Sequence, residues 1–157
     1  MSNEGDDNNS KVKIVGIDLR EVETIPNAID TLDTDSVDVL INNAGLMSAK
    51  ASVKDIINVN CVSPFVISLC MLQRIMISTI KNPKILYISS SSHIRGQKYE
   101  KNRLSESYMK DDRISVATSL RAYANAKYCS ILLSMALQRR LKGTGIRIVN
   151  IHPGKIR

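Results

Sequence analysis

Short apolar runs alternate with longer segments of helical periodicity along this chain of 157 residues. Four of the runs are five or six residues long and are bounded by polar or turn-forming residues. Runs of this length and setting predict buried β-strands. They are residues 12–17, 37–41, 84–88 and 146–151.

The segments between these runs predict three helices. They are residues 21–33, 53–80 and 119–141. In the second helix Pro64 is expected to cause a bend or a break, because proline cannot donate the helical hydrogen bond. The third helix ends where Gly143 and Gly145 supply the residues typical of a helix C-terminus. The polar stretch 93–118 has no strong periodicity.

Strands that alternate with helices predict an α/β fold with a parallel sheet and right-handed crossovers. In such sheets, ligands bind beyond the carboxyl ends of the strands. Every predicted strand is followed there by a polar or turn-forming motif. These motifs are Asp18, Asn42 to Gly45, Ser89 to Ser92, and Pro153 with Gly154. Their shared position predicts one functional site at this edge of the sheet.

The net charge of +7 raises the question of an acidic partner. Apart from the short run Arg139, Arg140 and Lys142, however, the basic residues are dispersed, and no aromatic residues alternate with them as on a single-strand-binding surface. A solvated basic face is therefore the favoured interpretation, and no nucleic-acid partner is predicted.

The three cysteines, Cys61, Cys70 and Cys129, have no metal-ligand spacing and are expected to be buried thiols in a reducing, cytoplasmic setting. The polar residues 1–10 contain no apolar segment of a signal peptide and are predicted to be disordered. The apolar stretch 65–80 is too short to span a bilayer. No membrane span is predicted.

Tyr123 and Lys127 are four residues apart on the third predicted helix, so their side chains share a face. A phenol is a poor base at neutral pH, and a neighbouring ammonium stabilises its phenolate form. The pair could therefore serve proton transfer. A surface pair on a helix is the alternative, and the spacing alone does not distinguish the two.

Together, the motifs resemble the short-chain dehydrogenase/reductase family. The order is Asn-Asn-Ala-Gly after a strand, serines after the next, Tyr-x-x-x-Lys on the following helix and Pro-Gly after the last strand. The resemblance runs from about Lys11 onward and is strongest to the retinol-dehydrogenase-like and WW-domain-oxidoreductase-like group. The phrases that carry it are LINNAGLM, ISSSSHIRG, AYANAK and GTGIRIVNIHPG. It implies a Rossmann-like parallel sheet with flanking helices.

The resemblance implies four catalytic residues. Tyr123 would be the general acid/base, and Lys127 would assist it and hydrogen-bond the nicotinamide ribose. Ser90 would hydrogen-bond the substrate oxygen, although Ser89 or Ser91 could take this role. Asn60 would hold a water of the proton relay, or else would simply bond backbone near the Pro64 kink.

The cofactor implied by the resemblance is NAD or NADP. Asn42, Ala44 and Gly45 would line it, and Pro153 and Gly154 would shape the loop beside the nicotinamide. Asp18 would meet the adenine edge, although an Asp in this position is also an ordinary helix cap. His93 and His152 have no metal-ligand neighbours, and no metal is predicted.

The printed sequence departs from the family pattern at both ends. It contains no Thr-Gly-x-x-x-Gly-x-Gly phrase, and it stops before the family's substrate-binding loop. The expected domain, residues 11–157, is thus an incomplete Rossmann-like domain without the first two strands and the last strand. The family order would place two strands between 12–17 and 37–41. Either those segments pair directly, or an edge of the sheet stays open.

The resemblance implies an oxidoreductase that interconverts an alcohol and a ketone or aldehyde, with a small lipophilic substrate. The alternative is a catalytically inactive fragment that acts only through protein association. In either case the two long helices could mediate a homo-oligomer or association with a full-length relative, because the family commonly builds dimers from them.

Overall fold

The centre of the protein is a parallel sheet of three strands, seen in a computed structural model that describes residues 12–96 and 115–154. The strands are β1 (Val39–Asn42), β2 (Lys84–Ile88) and β3 (Arg147–Ile151), and they lie in the order β1-β2-β3. Leu40, Ile85 and Ile148 are neighbours in one row across the sheet. The prediction of an α/β fold with a parallel Rossmann-like sheet is confirmed.

Helices precede and connect the strands. They are α1 (Ile25–Asp30), α2 (Val53–Ile57), α3 (Ser63–Met76), α4 (His93–Gly96) and α5 (Val116–Arg140), with a 3₁₀ turn at Val22–Thr24. α2 begins with a capping box, in which Ser52 and Asp55 each bond the other's backbone N–H. The hydroxyl of Ser115 caps α5, which therefore begins three residues before the predicted 119. The short helix α4 was not predicted.

The second predicted helix is interrupted, as Pro64 suggested. A π-helical turn, Asn58–Val62, joins α2 to α3. Pro64 has no N–H to donate to the carbonyl of Asn60 four residues earlier, so the regular ladder cannot continue through this point. Turns of this kind are frequent at functional sites.

The helices cover one face of the sheet. Ile85, on the covered face of β2, is fully buried among apolar residues of α1, α3 and α5. A second apolar cluster joins α2 to α5 through Val53, Ile56 and Ala126. The opposite face carries the neighbouring row Ile41, Leu86 and Val149, of which Ile41 and Val149 are exposed.

The prediction of a strand at 12–17 is wrong. This segment has no regular structure, and the side chains of Val12 and Ile14 are 84% and 91% exposed. An isolated extended segment gains no ladder hydrogen bonds, so apolar content alone does not make it a strand. Lys13 instead pairs with Asp33. The segment does not pair directly with residues 37–41, and among the described residues no strand lies on the outer side of β1.

The helical run Val53–Met76, which comprises α2, the π turn and α3, is long and apolar enough to cross a membrane by length and composition. More than half of its most apolar window is buried inside the fold, and its buried residues pack on the sheet and on α5. This is the behaviour of a core helix in an α/β domain.

The predicted polar tail 1–10 and residues 97–114 of the polar stretch lie outside the described residues.

A buried polar cluster links two strands to α3. The Tyr87 hydroxyl donates to Ser68 Oγ at 2.6 Å, Asn42 Nδ2 donates to the same oxygen at 3.0 Å, and Ser68 Oγ donates to the Pro64 carbonyl at 2.8 Å. These hydrogen bonds offset the free-energy cost of burying the polar atoms that form them.

Replacement of Tyr87 by phenylalanine is expected to lower the free energy of unfolding by about 1 kcal/mol, the usual net contribution of one buried hydrogen bond. Ser68 keeps its other two partners, so no polar atom is orphaned. Chemical denaturation checks this value. Tyr128→Phe, at a half-buried position of α5, is the matched control and is expected to change stability by less than about 0.5 kcal/mol.

Candidate active site

A cleft of about 600 Å³ opens at the carboxyl ends of the three strands. Its wall combines the loop after β1, the serine turn after β2, one face of α5 and the loop after β3. The predicted site residues that line it are Gly45, Ser90, Tyr123, Lys127, Pro153 and Gly154, together with Ser89 and Ser91. Four segments that are distant in sequence thus meet at the carboxyl edge of the sheet, as the alternation of strands and helices predicted.

Lys127 is the central charge of this cleft. Its side chain reaches between the strands' ends, where Nζ donates to the Ile88 carbonyl at 2.8 Å, and the residue is only 6% exposed. Burial lowers the pKa of Lys127 below its usual value. Nζ lies 5.6 Å from the centre of the Tyr123 ring, one helical turn earlier. Both side chains therefore face the cleft. They do not form a solvent-exposed pair on the outer surface of the helix.

Tyr123 is held by packing. The residue packs against the apolar cluster between α2 and α5. None of the hydrogen bonds among the described residues involves its hydroxyl. The phenol oxygen is thus available to a ligand in the cleft.

The four serines of the turn, Ser89 to Ser92, all line the same space. Ser90 Oγ accepts from the Ser92 N–H at 3.3 Å, and the Ser90 carbonyl bonds the backbone and ring nitrogens of His93. The hydroxyl of Ser89 is buried and has no partner among the described residues. Because Ser89, Ser90 and Ser91 all line the cleft, the role given to Ser90 stays a prediction.

Asn60 fixes the loop after β1. Its side chain is 2% exposed and makes three bonds: Nδ2 donates to the carbonyls of Leu46 and Ile56 at 2.6 and 2.7 Å, and Oδ1 accepts from the Leu46 N–H at 3.2 Å. A Cβ atom on Gly45 would lie 3.2 Å from Asn60 Oδ1. These bonds match the backbone-bonding alternative, and the relay role of Asn60 stays a prediction.

Asn42 and Ala44 do not line this cleft. The amide of Asn42 donates instead to Ser68 on the covered face of the sheet. Ser68 and Tyr87 were not predicted as partners, since nothing in the spacing of a serine in a helix and a tyrosine in a strand shows that they will meet. Their effect on the site is indirect, because they hold the end of β1.

Asp18 lies in a second cleft of about 470 Å³, which adjoins the first through Gly45 and Leu46. Its carboxylate accepts from the backbone and the guanidinium of Arg20, and these bonds lower the pKa of Asp18 to about 2. The carbonyls of Leu19 and Arg20 accept from Ser63 Oγ at 2.6 Å and from Asn58 Nδ2 at 2.8 Å. Two buried side chains of the π turn region, which were not predicted, thus fix the segment that follows Asp18.

The described residues contain no group of three or more His, Cys, Asp or Glu side chains that could hold a metal ion. His93 is engaged by the Ser90 carbonyl, and His152 Nδ1 accepts from the Gly154 N–H at 2.9 Å. Both histidines therefore serve the local geometry of loops that border the cleft.

A family comparison gives this geometry its context. The family model for short chain dehydrogenase matches residues 1–100. The chain belongs to the short-chain dehydrogenase family. The match covers more than half of the 157 residues and includes β1, β2 and the serine turn.

Curated relatives extend the likeness over almost the whole chain. Dehydrogenase/reductase SDR family member 13 of Bos taurus is 29% identical in an alignment 154 positions long, which covers 94% of this chain and 38% of that protein. Retinol dehydrogenase 12 of Homo sapiens is 27% identical in an alignment 159 positions long, which covers 97% of this chain and 47% of that protein. The chain thus spans less than half the length of these relatives.

Solved structures support the fold. The NADPH-bound carbonyl reductase from chicken fatty liver superposes with a TM-score of 0.65 at 19% identity, over 90% of this chain and 57% of that one. A metagenomic short-chain oxidoreductase in complex with NADP gives a TM-score of 0.63 at 18% identity, over 90% and 58%. At these identities the likeness concerns the Rossmann fold of the short-chain dehydrogenases.

Proposed function

We propose that the protein is a nicotinamide-dependent oxidoreductase that interconverts an alcohol and a ketone or aldehyde. The observation that carries the proposal is the placement of Tyr123 and Lys127 together in a cleft that the serines after β2 also line. Family membership and the retinol dehydrogenases among the relatives support it.

The residues present fit a dinucleotide cofactor, NAD or NADP. Two adjoining clefts share Gly45 and Leu46 as a common wall. Asp18 and Arg20 would hold the adenosine end, and Lys127, Pro153 and Gly154 would surround the nicotinamide end. The cofactor would supply the hydride acceptor or donor, which no amino-acid side chain provides.

The chain's own residues would manage the proton. The Tyr123 hydroxyl would take the proton of a substrate alcohol during oxidation and return it to the carbonyl oxygen during reduction. The Lys127 ammonium would stabilise the phenolate form and would donate to the ribose hydroxyls. A hydroxyl of the serine turn, Ser90 in the family pattern, would donate to the substrate oxygen and hold it near Tyr123.

The substrate class we propose is a small lipophilic alcohol or carbonyl compound. Leu46 and Met47 lie in the cleft wall, and Met47 is an exposed large apolar side chain beside it. Apolar surface at the mouth of a cleft favours a hydrocarbon body next to the reacting oxygen.

Titration with NADH and NADPH, followed by the fluorescence of the reduced nicotinamide, tests the proposal. Saturable binding is expected, and Lys127→Met is expected to weaken it at least tenfold, because the ammonium donates to the ribose. The stability of Lys127→Met should stay within about 1 kcal/mol of the parent, since loss of the bond to Ile88 is offset by removal of a buried charge.

Tyr123→Phe should still bind the cofactor but should no longer oxidise test alcohols or reduce test ketones.

Lys54→Met, at an exposed position of α2, is the matched control and should bind as the parent does. Circular dichroism first establishes that each variant is folded. A folded parent chain that binds neither nucleotide at millimolar concentration would refute the enzymatic proposal. It would then favour the alternative of a fragment that acts through association.

A further inference from the structure

The π turn fixes one wall of the second cleft, the space of about 470 Å³. Asn58 Nδ2 donates to the Arg20 carbonyl at 2.8 Å. Ser63 Oγ donates to the Leu19 carbonyl at 2.6 Å. Leu19 and Arg20 both line this cleft, and so does Val59 of the π turn itself. One short turn thus binds two consecutive backbone groups of the cleft wall.

The hydrogen bond that closes the π turn joins the same two residues. The Ser63 N–H donates to the Asn58 carbonyl, five residues earlier in the chain. In a regular α-helix, side chains five residues apart point roughly 140° away from each other, because each residue turns the helix by about 100°. The i→i+5 bond of the π turn widens the coil and brings the two side chains toward one side. Asn58 and Ser63 can therefore reach consecutive carbonyl groups, which an α-helical winding of the same residues would prevent.

The same turn holds the wall that the two clefts share. Asn60, which lies between Asn58 and Ser63, binds both the N–H and the carbonyl of Leu46. The exposed fractions of Asn58, Asn60 and Ser63 are 5%, 2% and 0%, so water does not compete for these bonds. The distance between Leu46 and the segment of Leu19 is therefore set by a single turn of helix.

We propose that Asn58 and Ser63 are positioning residues for the adenosine half of the dinucleotide, and that the π turn sets the width of the cleft that receives it. The inference rests on the proposed function, which supplies the dinucleotide. Neither Asn58 nor Ser63 lines the cleft, so both act through the segment that they hold. That segment carries the charged side chains of Asp18 and Arg20, which line the cleft. A wall held in place before the ligand arrives increases affinity, because less motion is lost on binding.

Separate binding of the two halves of the dinucleotide tests the inference. Adenosine monophosphate and nicotinamide mononucleotide are titrated individually, and the shifts of backbone amide NMR signals give the dissociation constants. Asn58→Ala and Ser63→Ala should each weaken binding of adenosine monophosphate at least fivefold. Binding of nicotinamide mononucleotide should stay within about twofold of the parent, since the groups proposed for that half lie on other segments.

Turnover of a test alcohol gives a second measurement. In both variants the KM for the dinucleotide should rise at least tenfold while kcat stays within about twofold of the parent, because Tyr123 and Lys127 keep their places. A merely structural role would lower the fraction of folded protein and reduce kcat, with no such separation of the two constants.

Ser134→Ala is the matched control. Ser134 is a fully buried serine of α5 whose hydroxyl bonds the Ile131 carbonyl and the side chain of Asn150, and it lines neither of the two clefts. The substitution should lower stability to a similar extent as Ser63→Ala but leave binding of adenosine monophosphate unchanged. Circular dichroism establishes first that every variant is folded.

The outcomes separate this inference from the proposed function. If the parent binds adenosine monophosphate and both variants bind it equally well, the inference is overturned and the proposed function stands. Equal weakening of both mononucleotides also overturns it, since the variants would then loosen the whole fold, and so does a folded parent that binds no adenosine monophosphate. Selective loss of adenosine monophosphate in a chain that turns over no alcohol or ketone supports the inference and refutes the enzymatic activity.

Discussion

Replacement of Asn60 by alanine is expected to lower the free energy of unfolding by about 3 kcal/mol. The substitution removes three hydrogen bonds and leaves the N–H and C=O of Leu46 and the carbonyl of Ile56 without their side-chain partner. An orphaned buried polar group costs about 1–3 kcal/mol, and water reaching the cleft side of Leu46 reduces the total. The loop that forms the common wall of the two clefts should also become mobile.

Urea denaturation measures the stability, and hydrogen exchange at Leu46 reports on the loop. Asn27→Ala, at an exposed position of α1, is the matched control and should change stability by less than about 0.5 kcal/mol. A loss below about 1 kcal/mol for Asn60→Ala would show that the three bonds do not hold the loop.

Replacement of Gly96 by alanine is expected to cost about 2–3 kcal/mol. An added Cβ would lie 2.4 Å from the carbonyl oxygen of Ala124 and 2.8 Å from the Cβ of Tyr128, so α4 and α5 would have to separate. Forced repacking of a tight contact costs about 1–3 kcal/mol, and here the obstruction is backbone that cannot rotate away. Because α5 carries Tyr123 and Lys127, nucleotide affinity should fall as well.

Thermal and urea unfolding of Gly96→Ala give the cost, and Gly16→Ala provides the control. No atom lies within 4 Å of a Cβ at Gly16, so this alanine should be neutral to within about 0.5 kcal/mol. Equal stability of the two variants would mean that the contact between α4 and α5 is looser than described.

The strand patterns show what sequence can and cannot predict. The run 84–88 was predicted correctly because its apolar residues are flanked by polar ones on both sides, and it is buried between two neighbours. The run 12–17 has a similar composition but forms no strand, since a strand depends on a partner that composition does not reveal. The ends of α5 differ from the prediction because Ser115 caps the helix earlier than apolar spacing suggested.

The candidate site was predictable to the extent that each residue follows a strand end. Gly45, Ser90 and Gly154 converge because parallel strands place their carboxyl ends together, and Lys127 reaches the same edge from α5. The connections of Asn42 to Ser68, and of Asn58 and Ser63 to the segment after Asp18, were not predictable. They depend on the rotation of α3 and of the π turn against the sheet, which residue spacing leaves undetermined.

The shared wall of the two clefts has a consequence for how ligands bind. Gly45 and Leu46 border both spaces, and Asn60 ties Leu46 to a helix region that packs on α5. A molecule bound in one cleft restricts the motion of this wall and so lowers the conformational entropy of the protein. A second molecule that binds in the other cleft then causes a smaller loss of entropy, and its affinity is higher. The two halves of a dinucleotide, offered as separate fragments, should therefore bind with positive cooperativity.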